Sequence, residues 1–154
     1  MRPIVIDTRE QRPWEFPEWV DRRHHVLPFG DYALEGDNGY AIERKSLTDF
    51  VGTLFTGWER FQREIERARA SFAKIVIFVE ADYHQIMFNE VNGELLPPEY
   101  GHPMITPEAV SRRIAELDIR YNVPVCFFKD PSHAAFQAYE NLKVRDMALE
   151  GAGL

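Results

Sequence analysis

Gly30-Asp31-Tyr32-Ala33-Leu34-Glu35-Gly36-Asp37-Asn38-Gly39-Tyr40-Ala41-Ile42-Glu43-Arg44-Lys45 is the stretch on which the reading of this chain turns. Asp31 to Leu34 and Tyr40 to Arg44 are short strand-like runs, and the Gly-Asp-Asn-Gly sequence at 36–39 is a turn signal, which predicts a β-hairpin. Side chains alternate faces along a strand, so Glu43 and Lys45 project together while Arg44 projects to the other side. The hairpin brings Asp31 to Glu43. Two carboxylates and a lysine in one place suit a hard divalent cation, which takes oxygen ligands and can carry a nucleophilic water to a phosphate.

The chain has 154 residues, of which 45% are hydrophobic and 13% aromatic, enough for one well-filled core. This predicts a single domain over residues 1–150 and a short tail at 151–154. Cys126 is the only cysteine, which excludes a disulfide and a thiolate cluster for zinc. The start, Met-Arg-Pro-Ile-Val-Ile-Asp, lacks the apolar stretch of a signal peptide, and no segment is long enough to span a bilayer. The expectation is an intracellular protein with no membrane partner, cytoplasmic or nucleoid-associated if its source is prokaryotic or viral. A net charge of −7 predicts weak intrinsic affinity for a phosphate backbone. Yet Arg9, Arg12, Arg22, Arg23, Arg44, Lys45, Arg60, Arg63, Arg67 and Arg69 all fall in the first half, so an acidic total is compatible with a basic face.

Working outward from the hairpin, Pro3 to Asp7 reads as a strand with Ile4 and Ile6 on one face, followed by a loop rich in proline and aromatic residues. Ser46 with Asp49 marks a helix start, and Leu47, Phe50, Val51 and Leu54 continue at helical spacing. A second helix, from about Thr56 to Phe72, puts Phe61, Ile65 and Ala68 inside and Arg60, Arg63, Glu64 and Arg67 outside or at its edge. Lys74 to Glu80 is uniformly apolar and predicts a buried central strand. Asn89 to Pro103, with Asn-Gly, Pro-Pro and Gly-His-Pro, reads as a long loop or flap. Thr106 caps a helix that runs to Tyr121, Pro124 to Phe128 is another strand, and Asp130 or Ser132 starts the last helix. The order of elements predicts an α/β layer with a mixed sheet.

Leu27-Pro28-Phe29-Gly30-Asp31-Tyr32, then Ile42-Glu43-Arg44-Lys45-Ser46 with Asp49, then Gly57 and Arg60-Phe61-Gln62, and Ile75 to Glu80, together resemble the XPF-type structure-specific endonuclease domain. Its hallmark, Gly-Asp, a gap, Glu-Arg-Lys, three residues and Asp, stands here without substitution, and Asp7-Thr8-Arg9-Glu10 resembles the family's first-strand motif. The resemblance implies a restriction-endonuclease-like PD-(D/E)XK fold, a mixed central sheet flanked by helices. It also implies a phosphodiesterase that uses Mg²⁺ or Mn²⁺ and prefers branched or flapped DNA in repair, recombination or replication. By position, Asp31 and Glu43 are the implied metal ligands, joined by the backbone carbonyl of Arg44, with Lys45 orienting water and stabilising developing charge. Arg44 and Asp49 complete the catalytic motif; Arg44 either pairs with Asp49 or grips a phosphate. Asp7 is a further candidate ligand, or merely the end of its strand, and Glu10 lies close behind it. Glu80 is either an acid behind the site or the polar end of its strand. Arg9, Arg60 and Gln62 are the candidate DNA contacts.

The chain departs from the pattern at Trp58-Glu59, which separate Gly57 from Arg60 where the family commonly has Gly-Arg. Its length leaves no room for tandem helix-hairpin-helix modules, so a minimal, freestanding nuclease domain of bacterial or viral type is expected. His24-His25 face opposite ways on a strand and read as surface or structural residues rather than a metal pair. Trp14, Trp19 and Trp58 are either core residues or platforms for unpaired bases. Two other functions fit the same pattern: a noncatalytic DNA-binding or scaffold subunit, which would have lost the acidic or lysine positions, and a less specific nuclease of the same fold. The last helix carries Phe136, Tyr139, Leu142, Val144 and Met147, more apolar positions than one small sheet requires, which predicts a homodimer, or a partner subunit that adds DNA affinity.

Overall fold

A computed structural model describes residues 1–96 and 105–151. The elements run β1 (Ile4–Asp7), β2 (Arg22–His25), β3 (Tyr32–Leu34), β4 (Tyr40–Lys45), α1 (Leu47–Leu54), α2 (Trp58–Ala70), β5 (Lys74–Val79), α3 (Tyr83–Met87), β6 (Asn89–Val91), β7 (Glu94–Leu96), α4 (Pro107–Tyr121), β8 (Val125–Phe127) and α5 (Pro131–Leu149). Six strands form one sheet in the order β2-β1-β3-β4-β5-β8. β1 pairs antiparallel with β3, and β3 with β4, while β1–β2, β4–β5 and β5–β8 are parallel, so the sheet is mixed as expected.

Register assigns each face. Ile42 lies beside Val76 and Arg44 beside Phe78, whereas Glu43 lies beside Ile77 and Lys45 beside Val79. The first set faces a core of Ile4, Ile6, Trp14, Phe16 and Tyr32, covered by Ala134, Ala138 and Leu142 of α5. The second faces Phe50 and Leu54 of α1, Phe61 and Ile65 of α2, and Val110, Leu117 and Tyr121 of α4. Ile77 and Phe78 are wholly buried on opposite faces; each side chain contributes about 1.5–3 kcal/mol by leaving water. The helix starts follow the sequence signals: Ser46, Thr106 and Asp130 each accept a backbone N–H from the residue three positions on.

Three stretches differ from expectation. Arg22–His25, which no sequence signal delimits as an element, is an edge strand; it has no apolar alternation to reveal it and is held by its parallel register on β1. Tyr83–Met87 is a short helix capped by Asp82, and Asn89–Leu96, expected as loop, is a hairpin. Asn92 and Gly93 both take positive φ in its turn, the geometry that an Asn-Gly pair between two strands favours. The remainder of the expected flap lies outside the described residues. The Pro13–Trp19 stretch divides: Trp14 and Phe16 are core, with Trp14 stacked on Tyr32 at 4.4 Å, while Trp19 is exposed. Among the described residues no helix is long and apolar enough to cross a membrane.

Candidate active site

Gly30 fixes where Asp31 stands. It has φ +70°, and a Cβ built there would lie 2.8 Å from Ala41 Cβ and 3.1 Å from the Ile42 carbonyl oxygen. Only glycine allows β3 to begin this close to β4, and the approach is closed by Asp31 N–H donating to the Ile42 carbonyl at 2.8 Å. Two residues on, Arg44 N–H donates to Asp31 Oδ2 at 2.8 Å. The N–H and C=O of one strand residue point to the same edge, so the Arg44 carbonyl also points towards Asp31.

Asp31, Glu43 and Lys45 share a cleft of about 690 Å³. It opens between the β3–β4 hairpin and helices α1 and α2, and its walls include Arg9, Glu10, Asp49, Arg60, Glu64 and Arg67. Lys45 Nζ stands 3.7 Å from Glu43 Oε1. Burial pushes the Asp31 carboxyl above the ordinary carboxylate range, against the Arg44 N–H and the Lys45 charge, which lower it. Burial likewise raises Glu43, reinforced by the charges of Asp31 and then Glu64 and opposed by Lys45. A fifth of the Glu43 side chain, 21%, still meets solvent, so the group remains reachable. Two under-partnered carboxylates pushed up together make a site that favours added positive charge, and their oxygens suit a hard divalent cation. Among the described residues no third Asp, Glu, His or Cys joins them at metal-ligand spacing.

The other face of β4 is arranged differently. The Arg44 side chain binds both Glu80 oxygens, the Glu10 carboxylate at 3.2 Å and the Arg12 carbonyl at 2.6 Å, and lies 5.1 Å from the centre of the Trp14 ring. Tyr32 completes the network: its hydroxyl accepts from Trp14 N–H at 2.9 Å and donates to Glu10 at 2.8 Å. Arg44 therefore pairs with Glu80 and Glu10 rather than with Asp49, and its head is not turned into the cleft to grip a phosphate. This also gives Glu80 a structural partner of its own, beyond merely ending β5. Asp49 sits exposed on the first turn of α1 at the cleft wall.

Asp7 lies next to this cleft but presents no free oxygen to it. It is wholly buried, its Oδ1 takes Arg9 N–H and Nε, and its Oδ2 takes Arg9 Nη2 and Leu27 N–H. Four donors fill a carboxylate's lone pairs, and those of Arg9 and Leu27 hold its pKa down to about 2 despite burial. In this arrangement Asp7 orders the β1 end and places Arg9 rather than serving as the further ligand expected. Arg60 reaches the cleft; the two residues inserted before it leave it on the open face of α2. Gln62 does not. Its amide donates to Tyr121 Oη at 2.8 Å, tying α2 to the end of α4 and away from the DNA contact expected of it. Glu64 is the site residue that the sequence reading left on the helix edge. It is four positions after Arg60, hence on the same helix face, and pairs with it at 3.5 Å.

A family model described as the ERCC4 domain matches residues 6–139. DNA repair endonuclease XPF of Drosophila melanogaster is 31% identical over 87 residues, which is 53% of this chain and 8% of that protein. Among solved structures, XPF from Aeropyrum pernix superposes with a TM-score of 0.68 at 22% identity, over 93% of this chain and 61% of its own. The same protein in complex with DNA gives 0.66 at 20% identity, over 96% and 66%. This chain thus spans less than two thirds of the structural relatives and a small fraction of the Drosophila protein. The superpositions bear out the expected XPF-type, PD-(D/E)XK-like α/β fold. The family match encloses the Gly-Asp turn, the Glu-Arg-Lys strand and both helices of the cleft, and on that span this chain belongs to the ERCC4 domain family.

Proposed function

We propose that this domain is a divalent-metal-dependent DNA endonuclease that hydrolyses phosphodiester bonds in branched or flap-bearing DNA. The observation that carries the reading is the shared cleft of Asp31, Glu43 and Lys45, with both carboxyls raised and Lys45 the cation paired with Glu43. The donor set fits Mg²⁺ or Mn²⁺: two carboxylates, with the Arg44 carbonyl turned to the same edge, and, among the described residues that line the cleft, no sulfur or imidazole. A cation bound there supplies a nucleophilic water at neutral pH and neutralises charge growing on the phosphate. Asp31 and Glu43 would hold it, with Asp31 fixed by the Arg44 N–H. Lys45 places its ammonium where the phosphorane oxygens gain charge, and its pairing with Glu43 keeps the two on one face. Arg9 and Arg60, both lining the cleft, supply phosphate contacts, and Asp49 lines it as well.

The DNA complex of the Aeropyrum pernix relative supports DNA as the ligand class. Self-association through α5 belongs to the same reading, since Phe136 is 67% exposed on its outer side. The alternative of a noncatalytic scaffold subunit fits less well, because Asp31, Glu43 and Lys45 are all retained and share a cleft. The test is a cleavage assay on flap, fork, junction, single-strand and plain-duplex DNA with Mg²⁺ and with chelator. The reading requires metal-dependent cuts that favour the branched substrates. Cleavage in excess chelator, or none on any substrate by folded protein, would contradict it.

A further inference from the structure

The last turn of α2 ends in an unusual way. Phe72 N–H donates to the Arg69 carbonyl at 2.9 Å and Ala73 N–H to the Ala68 carbonyl at 2.8 Å, the paired bonds of a Schellman cap. The residue that takes the left-handed conformation in this cap is usually glycine, because a side chain there crowds its own carbonyl. Here it is Phe72, at φ +58°, and its ring is 94% exposed. Backbone strain and a bare aromatic ring are two separate costs to the isolated fold, and neither contributes to the core.

The surroundings are cationic and adjoin the cleft. Phe72 borders a recess of about 260 Å³ between the ends of α2 and α4, with Arg69 and Lys74 on its rim and Tyr121 and Asn122 opposite. Ile75 lines both this recess and the catalytic cleft, and Arg67, one turn back on α2, lines the cleft. The acid nearest in sequence is Glu66. The exposed ring stands at a recess that Arg69 and Lys74 also line. Bases present their faces to a side chain only where they are unpaired and unstacked, so this surface suits a single-stranded arm and not the body of a duplex.

We infer that Phe72 is a stacking platform for an unpaired base of the DNA strand leaving the catalytic cleft, with Arg69 and Lys74 holding its flanking phosphates. This rests on the DNA reading proposed above and narrows it to substrates with a single-stranded arm. The test uses the full chain carrying Asp31→Asn, so that binding is read without cleavage, and DNA with 2-aminopurine at successive positions of the arm. One position should show a fluorescence change that Phe72→Gly abolishes, and arm-bearing DNA should bind about tenfold more weakly to that variant. Plain-duplex affinity should stay the same, and the melting temperature should hold or rise as strain is relieved. Phe72→Tyr should keep the signal. Equal affinities for arm-bearing DNA with and without the ring would overturn the inference, as would an equal loss on plain duplex or a dimer that dissociates in Phe72→Gly. A wild-type chain that cuts no DNA, with the ring-dependent signal present in the Asp31→Asn background, refutes the nuclease reading alone and leaves this one standing.

Discussion

The two faces of β4 carry alternating charges and put them to opposite uses. Arg44 faces a layer where every charge has a partner: Glu80, Glu10, the Arg12 carbonyl and the Trp14 ring surround one guanidinium. Glu43 and Lys45, its neighbours in sequence, face a cleft where two carboxyls are raised and one ammonium stands 3.7 Å away. A saturated network holds geometry, while an unsaturated one stores a preference for an added cation. The comparison teaches that the charged triplet is one device: its middle residue anchors the strand so that its outer residues can be held close, partly buried and under-compensated.

The sharpest way to break this contrast is to remove charge from the cleft face. Asp31→Asn and Glu43→Gln should each lower cleavage by about 10³-fold or more, the scale of several kcal/mol of metal-dependent charge stabilisation. Their melting temperatures should hold or rise, since each removes a buried carboxyl in an unfavourable setting. A steady-state assay beside a thermal melt measures both; a destabilised Glu43→Gln would erase the distinction between the faces. On the other face the effect should appear in stability first. Arg44→Met leaves Glu80 and Glu10 without their cation and should cost about 3 kcal/mol in denaturant unfolding. Unchanged stability would mean the network is not holding the strand.

pH sharpens the comparison further. Glu43 is raised from 4.5 to about 8 in the folded chain, so the folded state binds more protons than the unfolded state between those values. Stability of the metal-free protein should therefore fall as pH rises through that window, and Glu43→Gln should flatten the decline. Asp7 runs the other way: its pKa lies below the unfolded value of 3.8, at about 2, so its contribution is present above that value and fades as pH falls through the interval. Urea unfolding from pH 2 to 9 measures both slopes. The smallest expected effect is at Gln62. Gln62→Ala should lose about 1 kcal/mol with its Tyr121 hydrogen bond and leave cleavage intact; a large loss of activity would return Gln62 to the DNA surface.

How much of this was legible in sequence depends on whether the signal was local. Alternation at Glu43-Arg44-Lys45, the glycine turn and the caps at Ser46, Thr106 and Asp130 are short-range patterns, and they placed the hairpin, the cleft residues and the helix starts. Arg22–His25 gave no pattern, because an edge strand held by pairing with β1 needs no apolar face. The partners of Arg44 were not legible either: Glu10 follows β1 and Glu80 follows β5, and only the fold brings them to one guanidinium. The partners of Asp7 were hidden for a related reason, since its type fits a metal ligand while backbone and Arg9 donors that only the fold brings together fill its oxygens. Gln62 and Glu64 were separated by helix phase, one turned to α4 and the other to the cleft.

Titration calorimetry with Mn²⁺ reads the Asp31–Glu43 cleft as a cation site without any DNA. The wild-type chain should bind the ion, Asp31→Asn and Glu43→Gln should lose that binding, and Glu80→Gln, altered only on the opposite face, should keep it. Binding that survives in folded Glu43→Gln, or is absent from the wild type, would contradict the account.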